Sequence, residues 1–106
     1  MAREPKLRAP EGACDTHIHF YDKRYPTAPT AAFTPPDASV SDYLAVKRRL
    51  GLSRTVVVQP SAYGTDNRCT LDGIAALGLT TTRGVATYSV YSGSNSGRYV
   101  DWTRPQ

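Results

Sequence analysis

The feature that most restricts the fold is an unbroken run of β-branched residues, Thr55-Val56-Val57-Val58, near the middle of the chain. A strand with one face in water alternates apolar and polar residues, and this run does not alternate. We therefore expect a strand over Arg54–Gln59 that is buried on both faces, as in a parallel sheet covered by helices. Pro60 ends this strand because proline lacks the amide hydrogen of the ladder.

An amphipathic helix is expected before this strand. Ser39, followed three residues later by Asp42, resembles a capping box, and apolar residues then recur at helical spacing. The pattern predicts a helix from about Val40 to Leu50 that ends at Gly51, a residue suited to the left-handed conformation after a helix.

A second helix and two further strands complete the predicted set of elements. Apolar spacing over Leu71–Leu77 indicates a short helix that Gly78 ends. Strands are expected over Ala13–Phe20 and Arg83–Tyr88, so strands and helices alternate along the chain. This alternation is typical of parallel βαβ units.

The fold class that follows is α/β, with parallel βαβαβ units. A complete (β/α)8 TIM barrel needs about 250 residues, whereas this chain has 106. We therefore expect the first third of such a barrel, incomplete in this chain. The expected layout is a polar lead-in over residues 1–12, the partial barrel over 13–88, and an irregular, disordered tail over 89–106, of the kind that a frameshifted or prematurely ended reading frame would leave.

The only two histidines of the chain, His17 and His19, lie two residues apart in the first predicted strand. Side chains in a strand alternate between faces, so both imidazoles should project from one side, together with the carboxylate of Asp15. Two nitrogens on one face can share a metal ion or an anionic substrate. A catalytic zinc site takes about three protein ligands, so the pair alone does not complete one.

Net charge and cysteine content bear on which ligands the protein binds and where in the cell it lies. The net charge is +4, but the basic residues are scattered, and the cluster Lys47-Arg48-Arg49 fits the solvated face of a helix. A small anionic substrate explains this charge as well as a nucleic acid would, and we expect no nucleic-acid partner because the sequence shows no pattern of alternating aromatic and basic residues. Cys14 and Cys69 have neither metal-site nor disulfide-framework spacing. With no apolar run near the roughly 20 residues that cross a bilayer, we expect a soluble, cytoplasmic protein that does not contact membranes.

Several motifs together resemble the amidohydrolase-related (amidohydrolase 2) family. The likeness covers roughly residues 11–87 and is strongest to its 2-pyrone-4,6-dicarboxylate lactonase and sugar-lactone isomerase members. It rests on the histidine strand, the proline-rich loop, the end of the middle strand and the start of the third: Asp15-Thr16-His17-Ile18-His19-Phe20, Tyr25-Pro26, Phe33-Thr34-Pro35-Pro36-Asp37-Ala38, Val57-Val58-Gln59-Pro60-Ser61-Ala62-Tyr63-Gly64-Thr65-Asp66-Asn67 and Arg83-Gly84-Val85-Ala86.

The resemblance implies a (β/α)8 hydrolase with its active site at the carboxyl ends of the strands. His17 and His19 match a histidine pair that is catalytic and that binds a divalent ion, commonly zinc, in metal-dependent members. The lactonase branch is understood to work without a metal. In that branch Ser61 would hold a substrate carboxylate, with Tyr63, Thr65 and Asn67 as substrate-binding neighbours. The family's remaining ligands and its general base lie beyond position 106.

Two functions stay open at this point. The leading one is an amidohydrolase-type hydrolase of a lactone or related cyclic ester of a carboxylic acid, present as a truncated N-terminal portion. The alternative is a non-catalytic fragment or interaction module that pairs its exposed sheet edge with another chain, including self-association. Asp66-Asn67 has its own alternative, as the N-cap of the second helix.

Overall fold

The computed structural model describes residues 3–89 and 97–101, and its centre is a sheet with the strand order β1-β2-β3-β4. The strands are β1 (Cys14–Ile18), β2 (Arg54–Val58), β3 (Thr82–Ser89) and β4 (Gly97–Asp101). β1 and β2 pair parallel, and so do β2 and β3. The predicted βαβαβ order and its parallel pairing are therefore confirmed.

The two helices are α1 (Val40–Leu50) and α2 (Arg68–Leu77). α1 begins and ends where the sequence predicts. The Ser39 hydroxyl accepts from the Asp42 amide, the Asp42 carboxylate accepts from the Ser39 amide, and Gly51 adopts φ 75°. α2 begins at Arg68, three residues earlier than predicted, because its first turn lacks the apolar spacing on which the prediction depended.

Both helices lie against one face of the sheet. Phe20, Val57, Tyr63, Cys69 and Ile74 form the buried cluster there, and Val40 and Tyr43 of α1 pack against it. Val57 is fully buried, so the expectation that β2 is covered is confirmed on this face. Among the described helices, neither is long and apolar enough to cross a membrane.

The proline-rich loop between β1 and α1 is held by backbone and side-chain hydrogen bonds. Tyr21 and Ala38 form an antiparallel bridge across its two ends. The Ala28 amide donates to the Ala62 carbonyl, and the Tyr25 hydroxyl donates to the Asp72 carboxylate of α2. The loop thus connects the end of β1 to the turn after β2 and to α2.

β4 differs from the prediction of an irregular segment after residue 88. Its backbone pairs antiparallel with β3, from Val85 opposite Asp101 to Ser89 opposite Gly97. Little in the sequence indicates this strand, because only Tyr99 and Val100 among its residues are good strand formers. Residues 90–96 and 102–106 lie outside the described residues, and the three-part layout of the chain stays a prediction.

Candidate active site

His17 and His19 meet at the carboxyl end of β1. Their ring centroids are 5.1 Å apart, and the rings are edge to face at 87°. Ile18, between them, packs on the side of the helices. The predicted shared face of the two imidazoles is therefore confirmed.

The His19 ring is anchored to the neighbouring strand. Its Nδ1 lies 2.8 Å from the carbonyl oxygen of Val58, the last residue of β2. A carbonyl oxygen only accepts hydrogen bonds, so Nδ1 carries the hydrogen in this contact. The neutral ring then keeps its lone pair on Nε2, the arrangement common for metal-binding histidines. Nε2 donates a hydrogen bond only when the ring is protonated.

The predicted orientation of Asp15 is wrong. Its carboxylate does not project with the imidazoles, since one oxygen accepts from the Tyr43 hydroxyl of α1 at 3.1 Å. The cause is a β-bulge: Asp15 lies opposite Thr55 and Ile18 opposite Val57, so three steps on β1 match two on β2. The extra residue places Asp15 on the side of the helices while both histidines share the other side.

Tyr43, at the other end of this contact, is half-buried. Its hydroxyl also lies 3.1 Å from Oγ1 of Thr55, which is almost fully buried. Burial raises the pKa of Tyr43 to about 12, and the Asp15 carboxylate adds to the rise. The hydroxyl therefore keeps its proton at neutral pH and remains a donor.

Ser61 opens a short 3-10 turn, Ser61–Tyr63, directly after β2 and Pro60. It is exposed. Because β1 and β2 are parallel, Ser61 follows the carboxyl end of β2 and so lies at the same end of the sheet as the histidines. Its exposure leaves it accessible to a ligand. The predicted contact with a substrate carboxylate stays a prediction.

The other predicted loop residues differ in accessibility. Tyr63 is 3% exposed, and its hydroxyl both donates to the Asp22 carbonyl and accepts from the Asp22 amide, each at 2.9 Å. Thr65 is exposed. The structure gives Tyr63 a packing role in the loop, whereas the substrate contacts predicted for both residues are not tested by this arrangement.

Asn67 connects the loop to the end of β3. Its side-chain amide donates to the Thr87 carbonyl at 2.8 Å and accepts from the Thr87 amide at 3.0 Å. Asn67 also occupies the N-cap position of α2, but its side chain makes no capping bond, and Asp66 accepts from the Arg68 amide instead. Its predicted role in substrate binding stays a prediction.

Gln59, which the sequence motifs do not single out, holds the loop after β2 through hydrogen bonds of its buried side chain. Gln59 is 2% exposed, and its Nε2 donates to the carbonyls of Gly64 (3.1 Å) and Asp66 (2.8 Å). Its Oε1 accepts from the Thr70 hydroxyl at 2.5 Å. A polar residue between a buried strand and a proline is a signal for such a contact.

The histidine pair lies at an open part of the surface. His17 is exposed and His19 is half-buried. A groove of about 280 Å³ reaches His19, but not His17, from the side of α1, where Ile18 and Tyr43 line it. A cavity of about 330 Å³ lies elsewhere, beneath Tyr25 between α1 and α2. Within residues 3–89 and 97–101, no three His, Cys, Asp or Glu side chains converge as ligands for one ion.

Comparison with known proteins matches residues 14–87 to the amidohydrolase family. The chain is 40% identical over 86 residues to the 2-pyrone-4,6-dicarboxylate hydrolase of Comamonas testosteroni, covering 79% of this chain and 28% of that protein. It is 43% identical over 67 residues to the 4-sulfomuconolactone hydrolase of Rhizobium radiobacter, covering 61% and 22%.

A solved structure shares the fold. The crystal structure of a probable 2-pyrone-4,6-dicarboxylic acid hydrolase from Acinetobacter baumannii, with citric acid bound, superposes with a TM-score of 0.69 at 26% identity. The match covers 74% of this chain and 29% of the other. The chain thus spans between 22% and 28% of the curated relatives' length, in agreement with the predicted part of a larger α/β barrel.

Proposed function

The chain belongs to the amidohydrolase family, and on that premise we propose that it forms the β1–β3 part of a lactone-hydrolase active site. The substrate class is a lactone or related cyclic ester that carries a carboxylate. The observation that carries the proposal is the pair of imidazoles 5.1 Å apart at the carboxyl end of β1. Active sites of α/β barrels lie at that end of their strands.

Each histidine has a role that its contacts support. Nδ1 of His19 is held by the Val58 carbonyl, which leaves Nε2 to accept a hydrogen bond or, in the protonated ring, to donate one to the carbonyl oxygen of the ester. The His17 ring lies beside the His19 ring, and the two rings are nearly perpendicular. Donors placed where negative charge develops stabilise the oxyanion that forms when water attacks the ester carbonyl.

Ser61 is proposed to hold the substrate carboxylate. It is exposed after β2, next along the sheet from β1, so its hydroxyl can donate to an anion bound between the two strands. Thr65 is exposed on the same loop. The net charge of +4 favours the approach of an anionic substrate.

A divalent ion fits the histidine pair only in part. His17 and His19 would supply two of the about three protein ligands of a catalytic zinc site, and the lone pair on His19 Nε2 suits one of them. When bound, such an ion would polarise the ester carbonyl. In a metal-free site the same two rings would contact the substrate directly, and both arrangements belong to this proposal.

Partners and location are proposed on separate grounds. β1 is an edge strand of the sheet that the described residues form, and such an edge can pair with a second copy of the chain. Light scattering across a concentration series would detect this self-association. A small anionic substrate is the favoured ligand, rather than nucleic acid or a membrane. Both cysteines are unpaired, which suits a reducing compartment such as the cytoplasm.

The proposal is tested in a chimera. Residues 14–87 of this chain replace the aligned segment of the Comamonas testosteroni hydrolase, and lactone hydrolysis is followed by proton release. We expect measurable turnover, with kcat/KM reduced about a hundredfold by the double substitution His17→Ala and His19→Ala, a loss typical of removing groups that stabilise an oxyanion.

The control in this test is Thr16→Ala, which changes an exposed neighbour of the pair and should leave kcat/KM within twofold. A folded chimera without turnover, or one whose activity survives loss of both histidines, would contradict the proposal. The first of these results would favour the alternative, a chain that is non-catalytic or acts as an interaction module.

A further inference from the structure

The bulge in β1 coincides with a local hydrogen bond to the side chain of Asp15. Its Oδ1 accepts from the backbone amide of His17 at 3.3 Å. Aspartate often accepts a hydrogen bond from the amide two residues ahead, and such a contact competes with the strand ladder. The bulge falls between Asp15 and Ile18, where this contact takes the His17 amide.

The second carboxylate oxygen of Asp15 is held from α1. Tyr43 has one hydroxyl hydrogen, which it donates to Asp15 Oδ2, because an ionised carboxylate only accepts. The Tyr43 oxygen then accepts from the Thr55 hydroxyl. The hydroxyl hydrogens of Thr55 and Tyr43 and the amide hydrogen of His17 therefore each have an acceptor.

We propose that Asp15 and Tyr43 are positioning residues that fix the backbone at His17 and thereby hold its ring beside that of His19. The inference rests on the proposed function and adds to it two residues that do not touch the substrate. In a regular strand Asp15 would share the histidine face, and the carboxylate would stand in the site. With the bulge held, that face carries the two imidazoles without the carboxylate.

The two rings depend on different supports, and this makes the proposal specific. His19 is fixed by the Val58 carbonyl, which belongs to β2 and is independent of Asp15. The backbone amide of His17, in contrast, is held by the Asp15 carboxylate. Loss of the Asp15 contacts should therefore move the His17 ring and leave the bond from His19 to Val58 in place.

The test is NMR of the whole chain with labelled histidine, without substrate. Nuclear Overhauser cross-peaks between the two imidazoles should fall at least threefold in Asp15→Ala and at least twofold in Tyr43→Phe. Asp15→Asn should retain them, because its Oδ1 still accepts from His17 while its amide donates to the Tyr43 oxygen. The signal of the His19 Nδ1 hydrogen should persist in all three variants.

The matched control is Tyr25→Phe, which removes another hydrogen bond from a tyrosine to an aspartate, at Asp72, away from the histidines. It should leave the cross-peaks unchanged. Full cross-peaks in Asp15→Ala would overturn the proposal, as would equal losses in Asp15→Asn and Asp15→Ala. If Asp15→Ala does not fold, Tyr43→Phe decides by the same criterion. Because no substrate is present, an inactive chimera would refute the proposed function and leave this result standing.

Discussion

Replacing Phe20 by alanine is expected to lower the free energy of unfolding by about 3–5 kcal/mol, the range for truncating a buried aromatic ring. Phe20 is 3% exposed and sits at the centre of the buried cluster between β1 and the two helices. Its ring lies edge to face with Tyr43, at a centroid distance of 6.0 Å. Urea unfolding followed by circular dichroism measures the loss.

Phe33 provides the matched control because it is the other phenylalanine of the chain and is 62% exposed. Phe33→Ala should change the free energy of unfolding by less than about 0.5 kcal/mol, as for most surface substitutions. Similar losses from the two substitutions would mean that Phe20 is not in the core.

Gly73 provides a second test of the buried position of Phe20. A Cβ added at this helix position would overlap the Phe20 ring. Gly73→Ala should therefore destabilise, since overpacking costs about 1–3 kcal/mol and the helix propensity of alanine returns only about 1 kcal/mol. In a Phe20→Ala background the overlap is gone, and the same substitution should stabilise. A double-mutant cycle measures this reversal.

Replacing Gln59 by leucine is expected to lower the free energy of unfolding by about 3 kcal/mol, because each buried polar group left without a partner costs about 1–3 kcal/mol. The substitution leaves the Thr70 hydroxyl and the carbonyls of Gly64 and Asp66 without their donor or acceptor. The loop that carries Ser61 should then exchange its amide hydrogens faster than in the unsubstituted chain.

Two further substitutions provide comparisons for the stability loss expected of Gln59→Leu. Thr70→Val removes one of the three hydrogen bonds and keeps the shape of the side chain, so it should cost about 1 kcal/mol. Thr65→Ala, at an exposed position of the same loop, should cost less than about 0.5 kcal/mol. A Gln59→Leu variant as stable as Thr65→Ala would show that the buried amide does not hold the loop.

Local signals explain the parts of the fold that the sequence predicts. α1 begins and ends as expected because Ser39, Asp42 and Gly51 each act within one turn of the helix. The buried strand β2 follows from its β-branched run, which fits a covered sheet. For α2 the apolar spacing begins only at Leu71, so it does not predict the first turn of the helix, which begins at Arg68.

The departures come from contacts between distant residues. The bulge in β1 lies where Asp15 bonds to Tyr43, and the Tyr43 hydroxyl contacts Thr55. The alternation of side chains within a strand predicts neither the bulge nor these contacts. Asn67 has the side chain of a helix cap, but its amide bonds to Thr87 of β3, 20 residues away. β4 depends on pairing with β3, and a short strand with two favourable residues carries no periodic signal.

The central claim is that His17, His19 and the loop after β2 form one binding surface for a carboxylate-bearing ligand. It is tested most directly by an NMR titration of the whole chain with citrate, the ligand bound in the related Acinetobacter baumannii structure. We predict that the imidazole signals of both histidines and the amide of Ser61 shift together with one dissociation constant, and that His17→Ala with His19→Ala weakens binding at least tenfold. Shifts confined to the basic face of Lys47–Arg49, with unchanged histidine signals, would contradict the claim.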